Sequence, residues 1–570
     1  MRKPTIPERL RLLKLAAVAK RRARITGSRN APWRRLLRAP RPMGELLLVP
    51  SDLRATDPSF ADEVAAGQFG LAGAVVDLNG QSPFRLSAPS RAWARELHGF
   101  AWLGHLRAAG SDEATLLARR LVRDWIATSS RPRGLAWRPE VMAERVIAWI
   151  ANAGLLLEGA EAGDFGAITR SLGAQIDLLD AVHAHAAPGA ARLKCLIALV
   201  LADLALAGRD RHLARIEPRF LAELDRQILP DGGHVSRNPD TVLNLLLDLL
   251  PLRQCYPARQ RPPPQALAEA TGRMLRFLGA LRLGDGSLAR CNGRGADQGD
   301  VLATILSYNT DVGEAAGHLE SSGYARLARG DTILLMDCGG PPEFELGGAA
   351  QAGCLAFEMS HVTTALLRNG GVPGDSHGSE KPAARATASH STLCLDARSS
   401  ASLVGSPAIE RHCGGPVLRG PATVTARLTD ADGACVIEAS HDGYLAEFGL
   451  VHTRRLALSQ DGLRLDGIDR LAPRSGVLRL PRDLPFAVHF HLAAQAEATC
   501  DAAGTSATFR VRGGDRWRLT VAGASASLEA SIDYAHALGP QPRRQIVLRG
   551  ACPGETTVTW SIVREAVAGA

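Results

Sequence analysis

The chain has 570 residues, 46% of them hydrophobic and 22% charged, which allows two or more domains with their own cores and matches an ordinary globular composition. Apolar runs long enough for a membrane-spanning helix do not occur, so none is expected. The net charge of +9 is uneven: residues 1–42 carry fourteen Lys or Arg against one acid, Glu8, which leaves −4 for the remainder and argues against a nucleic-acid-binding body.

Within the basic arm, Leu10, Leu13, Ala17 and Val18 fall on one helical face, with Lys14, Lys20, Arg21 and Arg22 around it. Two roles are open for such a helix: covering its own domain, or meeting a membrane surface or an anionic polymer. The basic residues continue past the apolar patch and no small-residue cleavage site follows, a poor secretory signal. A cytoplasmic address is expected, with an unrecognised route to the periplasm left open. Residues 43–90, with ELLLVPSDLR and GAVVDLNGQSPF, read as a small strand-containing connector.

From about residue 90 to 320 the apolar period is helical. Segments 91–110, 113–128, 140–158, 192–208, 211–228 and 241–253 place apolar residues three and four apart, with breaks at Gly110, Pro139, Gly208 and Pro239. LIALVLADLALAG is apolar on nearly every side, which predicts a helix buried among neighbours. Near residue 325 the period switches to two. DTILLMD, CLAFEMS, STLCLD, AVHFHLA, RWRLTVAG and TTVTWSIV alternate between turn signals, as antiparallel sheets packed face to face require. Helices first and strands second, without interleaving, predict two docked domains. The ten cysteines form no C-x-x-C pair, and several lie in apolar runs, which suits free buried thiols.

Polar residues collect at glycine-marked breaks. In LPDGGHVSRNP (229–239), Pro230 to Gly233 suffice for a turn, and Ser236 or Asn238 can cap the next helix. His234 and Arg237 remain over, as helix-end structure or as substrate contacts. LGDGSLARCNGRG (283–295) carries Asn292 and Arg294, with Tyr308 following. Trp137, Arg138 and Arg145 form an aromatic-plus-cation group; such groups stack on sugar rings and hold carboxylates, while core packing is the commoner fate of a tryptophan. In the strand half, His390 precedes one strand and Asn369 ends another.

LPDGGHVSRNP, LLLDLLPLRQC, DGSLARCNGRG, AGCLAFEMS followed by RNGG, and RATASHSTLCLD, in this order, resemble the heparinase II/III family of polysaccharide lyases over most of residues 45–565. The resemblance implies an α+β chain, an incomplete α/α toroid followed by an antiparallel β-sandwich. On that basis the domains are a basic arm (1–42), a toroid with its connector (43–322) and a sandwich (323–570).

The implied chemistry is β-elimination at a uronic acid of an anionic polysaccharide, a carbon–oxygen lyase reaction in the cleft between toroid and sandwich. In a lyase with its site rearranged, His234 is the expected base or acid, Tyr308 a second proton carrier and His390 a catalytic support from the sandwich. Arg237 and Asn238 are expected to hold the carboxylate, with Trp137, Arg138, Arg145, Asn292 and Arg294 as further substrate contacts. The family's Glu-x-Ser-x-x-Tyr-like pattern puts Pro239 at the tyrosine position. Its His-x-His-type motif puts Ala349 and Gln351 at the histidines. His390, Asn369 and Gln351 are the zinc candidates, a weak set, so no bound metal or other cofactor is expected. The departures open a second reading, a family member that binds an anionic glycan or envelope component without cleaving it.

Overall fold

The structure, a computed structural model, describes residues 6–29, 43–129, 134–309, 316–404, 417–431, 433–474, 483–511 and 513–565. The arm residues 1–5 and 30–42 lie outside the described residues. Helices α1 (Ile6–Arg29) and α2 (Phe60–Ala65) and the hairpin β1 (Gln68–Leu71)–β2 (Ala74–Asp77) come first. The helical half follows: α3 (Arg91–Gly99), α4 (Leu103–Ala109), α5 (Asp112–Thr128), α6 (Pro139–Ala151), α7 (Ala153–Leu157), α8 (Ala162–Val182), α9 (Ala190–Ala205), α10 (Asp210–Gln227), α11 (Pro239–Ala258), α12 (Gln265–Ala280) and α13 (Gly299–Leu306).

Ser90 and Ser111 cap α3 and α5, each accepting a backbone N–H at 3.1 Å. The helix expected over 91–110 is two, because Phe100 takes the left-handed conformation (φ 64°) that ends α3. The helix expected over 140–158 divides at Asn152, whose side chain turns back to the Ala148 carbonyl at 2.9 Å. Helix α8 has no counterpart among the predicted segments. Gly163, Gly166 and Gly173 weaken its local propensity, and burial of Ile168, Leu172, Ile176 and Leu179 holds it. Cys195 to Ala205 of α9 are all buried, and this helix packs against α6, α10 and α11 at the centre of the helical core. Each fully buried leucine there stabilises the fold by roughly 1.5–3 kcal/mol.

The strand half is a two-layer sandwich. One layer is eight-stranded, in the order β11 (Val424–Ala431), β12 (Ala434–His441), β13 (Leu450–Leu458), β14 (Arg464–Pro473), β21 (Thr556–Arg564), β18 (Arg516–Ala522), β17 (Ser506–Val511), β16 (Ala496–Cys500). The other joins a five-stranded sheet, β3 (His318–Leu319), β4 (Tyr324–Arg329), β5 (Thr332–Asp337), β6 (Phe357–His361), β7 (Thr364–Leu367), to a four-stranded one, β19 (Ser525–Asp533), β20 (Gln541–Cys552), β15 (Leu484–His491), β8 (Leu393–Leu395). A bridge between Leu367 and Leu492 connects the two, and a separate antiparallel pair is formed by β9 (Ser402–Leu403) and β10 (Val417–Arg419). Phe357, Met359, Phe490, Leu548, Trp560 and Ile562 fill the space between the layers.

Alternation along the strands turns a second set of side chains to the opposite face. On β4 and β5 these are Tyr324 and Leu335, which join the helical core and dock sandwich on toroid. On β6, β15 and β20 they include the polar Glu358, His489, His491, Arg543 and Gln545. Helix α1 packs on the sandwich side through Leu12 against Phe344, Val404 and Leu418, with Leu15 and Ala16 beside it and Arg22 3.6 Å from Glu345. The buried line is therefore not the predicted one: Leu10 and Leu13 are exposed. The nine described cysteines are free, all but Cys500 buried.

Candidate functional site

The loop between α10 and α11 is built from LPDGGHVSRNP. Gly232 (φ 89°) lies against the Arg273 carbonyl, where a Cβ would come within 2.0 Å of the oxygen, so only glycine fits. Asp231 accepts from Gly233 N–H at 3.1 Å and from the Ser322 N–H and hydroxyl at 2.7 and 2.9 Å, which ties the turn to the sandwich. Asn238 is the cap of α11, accepting from Asp240 N–H at 2.8 Å.

His234 is 1% exposed, and burial pushes its pKa down to about 4, so the ring is neutral at pH 7. Ser236 N–H donates to Nδ1 at 3.0 Å, which assigns the ring proton to Nε2, 2.9 Å from Gln227 Oε1. Ser236 Oγ also lies 2.7 Å from Nδ1. Both ring nitrogens are engaged, leaving no open lone pair aimed at a cleft.

Arg237 is used up in the same way. Its Nε donates to Ser322 O at 2.7 Å, Nη1 to Gly340 O at 2.7 Å, and Nη2 to Gly323 O at 2.9 Å and Asp337 Oδ1 at 2.5 Å. The guanidinium lies 5.0 Å from the Tyr324 ring centre, and the Tyr324 hydroxyl donates to the Arg237 carbonyl. Asn292 Nδ2 completes the cluster, 2.8 Å from the Tyr324 hydroxyl and 3.0 Å from Asp337 Oδ2. Arg237 itself is in the left-handed region (φ 58°), a conformation that these contacts hold. The cluster clamps toroid to sandwich. Arg294 (1% exposed) pairs with Asp240 and with Asp297 at 3.2 Å.

The expected aromatic-plus-cation surface is an interior. Arg145, 0% exposed, donates to Gln175 at 2.6 Å and to the carbonyls of His98 and Ala136 at 2.9 Å, with its guanidinium 4.1 Å from the Trp125 ring centre and 5.4 Å from that of Trp137. Burial lowers its pKa to about 9. Trp137 is buried and donates to Ser129 O at 3.1 Å. Arg138 alone of the three is exposed, 3.9 Å from Glu140. Tyr308, just after α13, is half-buried against the helical core.

The zinc candidates do not fit a zinc ion. Gln351 Oε1 accepts from Gly293 N–H at 3.1 Å while its amide nitrogen faces the Gly371 and Ala384 carbonyls, and Asn369 Oδ1 accepts from Ser391 N–H at 2.8 Å. His390 Nδ1 lies 2.8 Å from Ala386 O, so Nε2 carries the lone pair; it is buried and without a partner, and burial lowers the pKa to about 4. One imidazole is left where zinc needs several ligands. Among the described residues no group of three His, Cys, Asp or Glu could hold a metal ion.

Two charged clusters escaped the sequence reading. In the sandwich interior, Asp469 accepts from His452 at 2.7 Å, Arg454 at 2.8 and 3.0 Å and Trp560 at 2.9 Å. The inward alternation of LVHTRRLAL was the available signal. On the outer polar face, Glu358 pairs with Arg368 at 3.3 Å and Arg290 with Asp533 at 2.6 Å.

A helical toroid docked on a two-layer sandwich is the architecture of a class of polysaccharide lyases. Crystal structures of that class superpose on the chain: heparinase III at a TM-score of 0.70 with 13% identity, covering 90% of this chain and 85% of the other, and the heparan sulfate lyase HepC mutant from Pedobacter heparinus at 0.60 with 15% identity, covering 97% and 89%. Residues 311–561 match the family model "Heparinase II/III-like, C-terminal". FtsZ-localized protein C of Caulobacter vibrioides is 30% identical over 556 residues, 94% of this chain and 93% of the relative. The chain belongs to the heparinase II/III family.

Proposed function

We propose that this chain is a heparinase-fold binding protein that engages an anionic component of the cell envelope without cleaving a polysaccharide. The observation that carries the reading is the occupancy of the junction. Each nitrogen of the Arg237 guanidinium, both ring nitrogens of His234 and the amide nitrogen of Asn292 are hydrogen-bonded within the chain. Elimination needs a free base and a free cation at the substrate carboxylate. The outward residues of α1, Lys14, Lys20, Arg21 and Arg24, are exposed and provide a basic contact for an anionic glycan or an anionic membrane surface. The name of the Caulobacter vibrioides relative supports a role at sites occupied by FtsZ.

A second reading, β-elimination with a rearranged site, draws support from the lyase architecture and from the partnerless Nε2 of His390. One experiment separates the two. The protein is incubated with a panel of uronate polymers, following the ultraviolet absorbance of the unsaturated uronate product, and its co-sedimentation with the polymers and with anionic vesicles is measured across a salt series. The expected result is no product, with binding that falls steeply with salt and is lost when the four α1 cations become Gln. Product formation that is lost in His390→Ala would reverse the assignment.

A further inference from the structure

Among the described residues no other arginine has all three guanidinium nitrogens buried and without a hydrogen-bond partner, as Arg543 does. The residue is 7% exposed and lies on the polar face of β20, opposite Ser531 of β19 in the strand register. A buried, unpaired guanidinium is costly, and native proteins keep one only where something compensates it. The nearby acids compensate it only in part: Asp533 and Glu358 attract the guanidinium, but burial outweighs them. Asp533 is paired with Arg290 at 2.6 Å, and Glu358 with Arg368 at 3.3 Å.

A chain of polar contacts runs from its strand partner to the segment after β7. Ser531 Oγ lies 2.7 Å from His491 Nδ1, the His491 N–H donates to Ser391 Oγ at 3.2 Å, and Ser391 N–H donates to Asn369 Oδ1 at 2.8 Å. The amide nitrogen of Asn369 is a second buried donor without a partner. His390 and His491 both interact electrostatically with Arg543, and an imidazole supplies no negative charge in either protonation state. The segment after β7 closes over the strands: Gly370 contacts Tyr534, and His377 lies against Gly539.

We propose that Arg543, with the Asn369 amide, is a receptor for a small oxyanion, a carboxylate or a sulfate, held between β20 and the segment 369–391. The guanidinium fork matches the two oxygens of such a group. The site uses none of the α1 residues and stands whether or not the envelope-binding reading does.

The test is thermal unfolding of the full chain with sodium acetate, sodium sulfate or sodium glucuronate, against sodium chloride at equal ionic strength, for the wild type and for Arg543→Met and Arg543→Lys. Expected is a saturable rise in Tm of roughly 2 °C at hundredfold excess over Kd for the wild type, lost in R543M and reduced in R543K. A rise with acetate or sulfate identifies a free ion; a rise with glucuronate alone identifies a sugar carboxylate. If R543M fails to fold, R543K carries the comparison. Equal rises in wild type and variants, or no rise beyond chloride with any of the three, would overturn the proposal.

Discussion

Replacing Arg237 by Met distinguishes a structural clamp from a substrate contact. The substitution keeps most of the side-chain volume and removes the donors to three carbonyls and to Asp337. Asp337, 4% exposed, then keeps only the Asn292 amide at 3.0 Å and the Gly339 N–H at 3.2 Å. Breaking a buried pair from one side costs about 3–5 kcal/mol, because the remaining charge stays desolvated. The three carbonyls lose partners whose bonds are each worth about 1 kcal/mol net, partly within the same figure. A loss of about 4 kcal/mol is expected, read as a lower urea midpoint at unchanged slope. Adding Asp337→Asn removes the orphan charge and should recover about 2 kcal/mol, a coupling that only direct partners show. An R237M protein with the wild-type midpoint but no ligand binding would refute the clamp and return Arg237 to the substrate.

Acid should destabilise the protein through its buried histidines. His234 and His390 are both pushed from 6.5 to about 4, so each binds its proton more weakly folded than unfolded. Their contribution is complete above pH 6.5 and is lost as pH falls toward 4, at about 1.4 kcal/mol per pH unit for each. His234→Gln should flatten the slope of the urea midpoint between pH 6.5 and 4.5, and an unchanged slope would contradict a buried neutral ring. His212, raised to about 9 by Asp180 and Asp203, works in the other direction, its contribution disappearing as pH rises through 9. Gly232→Ala should lower stability by about 1–3 kcal/mol, since the new methyl meets the Arg273 carbonyl at a positive φ. A Tm equal to wild type would mean that the loop relaxes.

Much of the fold was legible. The switch of apolar period near residue 325 separates helices from strands, and LIALVLADLALAG announces its own burial in α9. The glycines and the Asn238 cap of LPDGGHVSRNP behave as local chemistry requires. Helix α8, with three glycines, was hidden because packing holds it and its own propensity does not.

The candidate site was legible only as a list of polar residues at helix and strand ends. Their availability was not, because a donor's freedom depends on groups far along the chain. Arg237 meets Asp337 across 100 residues, Arg290 meets Asp533 across 243, and Arg145 finds Gln175 in the core. The same reason kept Arg543 out of sight, since an exposed strand arginine and a buried unpaired one look alike in RRQIVLRG. Sequence alone determined the helix-then-strand order of the two halves and the family, since periodicity, turns and motifs are local. Tertiary structure alone decided which polar groups are spent on folding and which remain to bind, since burial and hydrogen-bond occupancy exist only once distant segments meet.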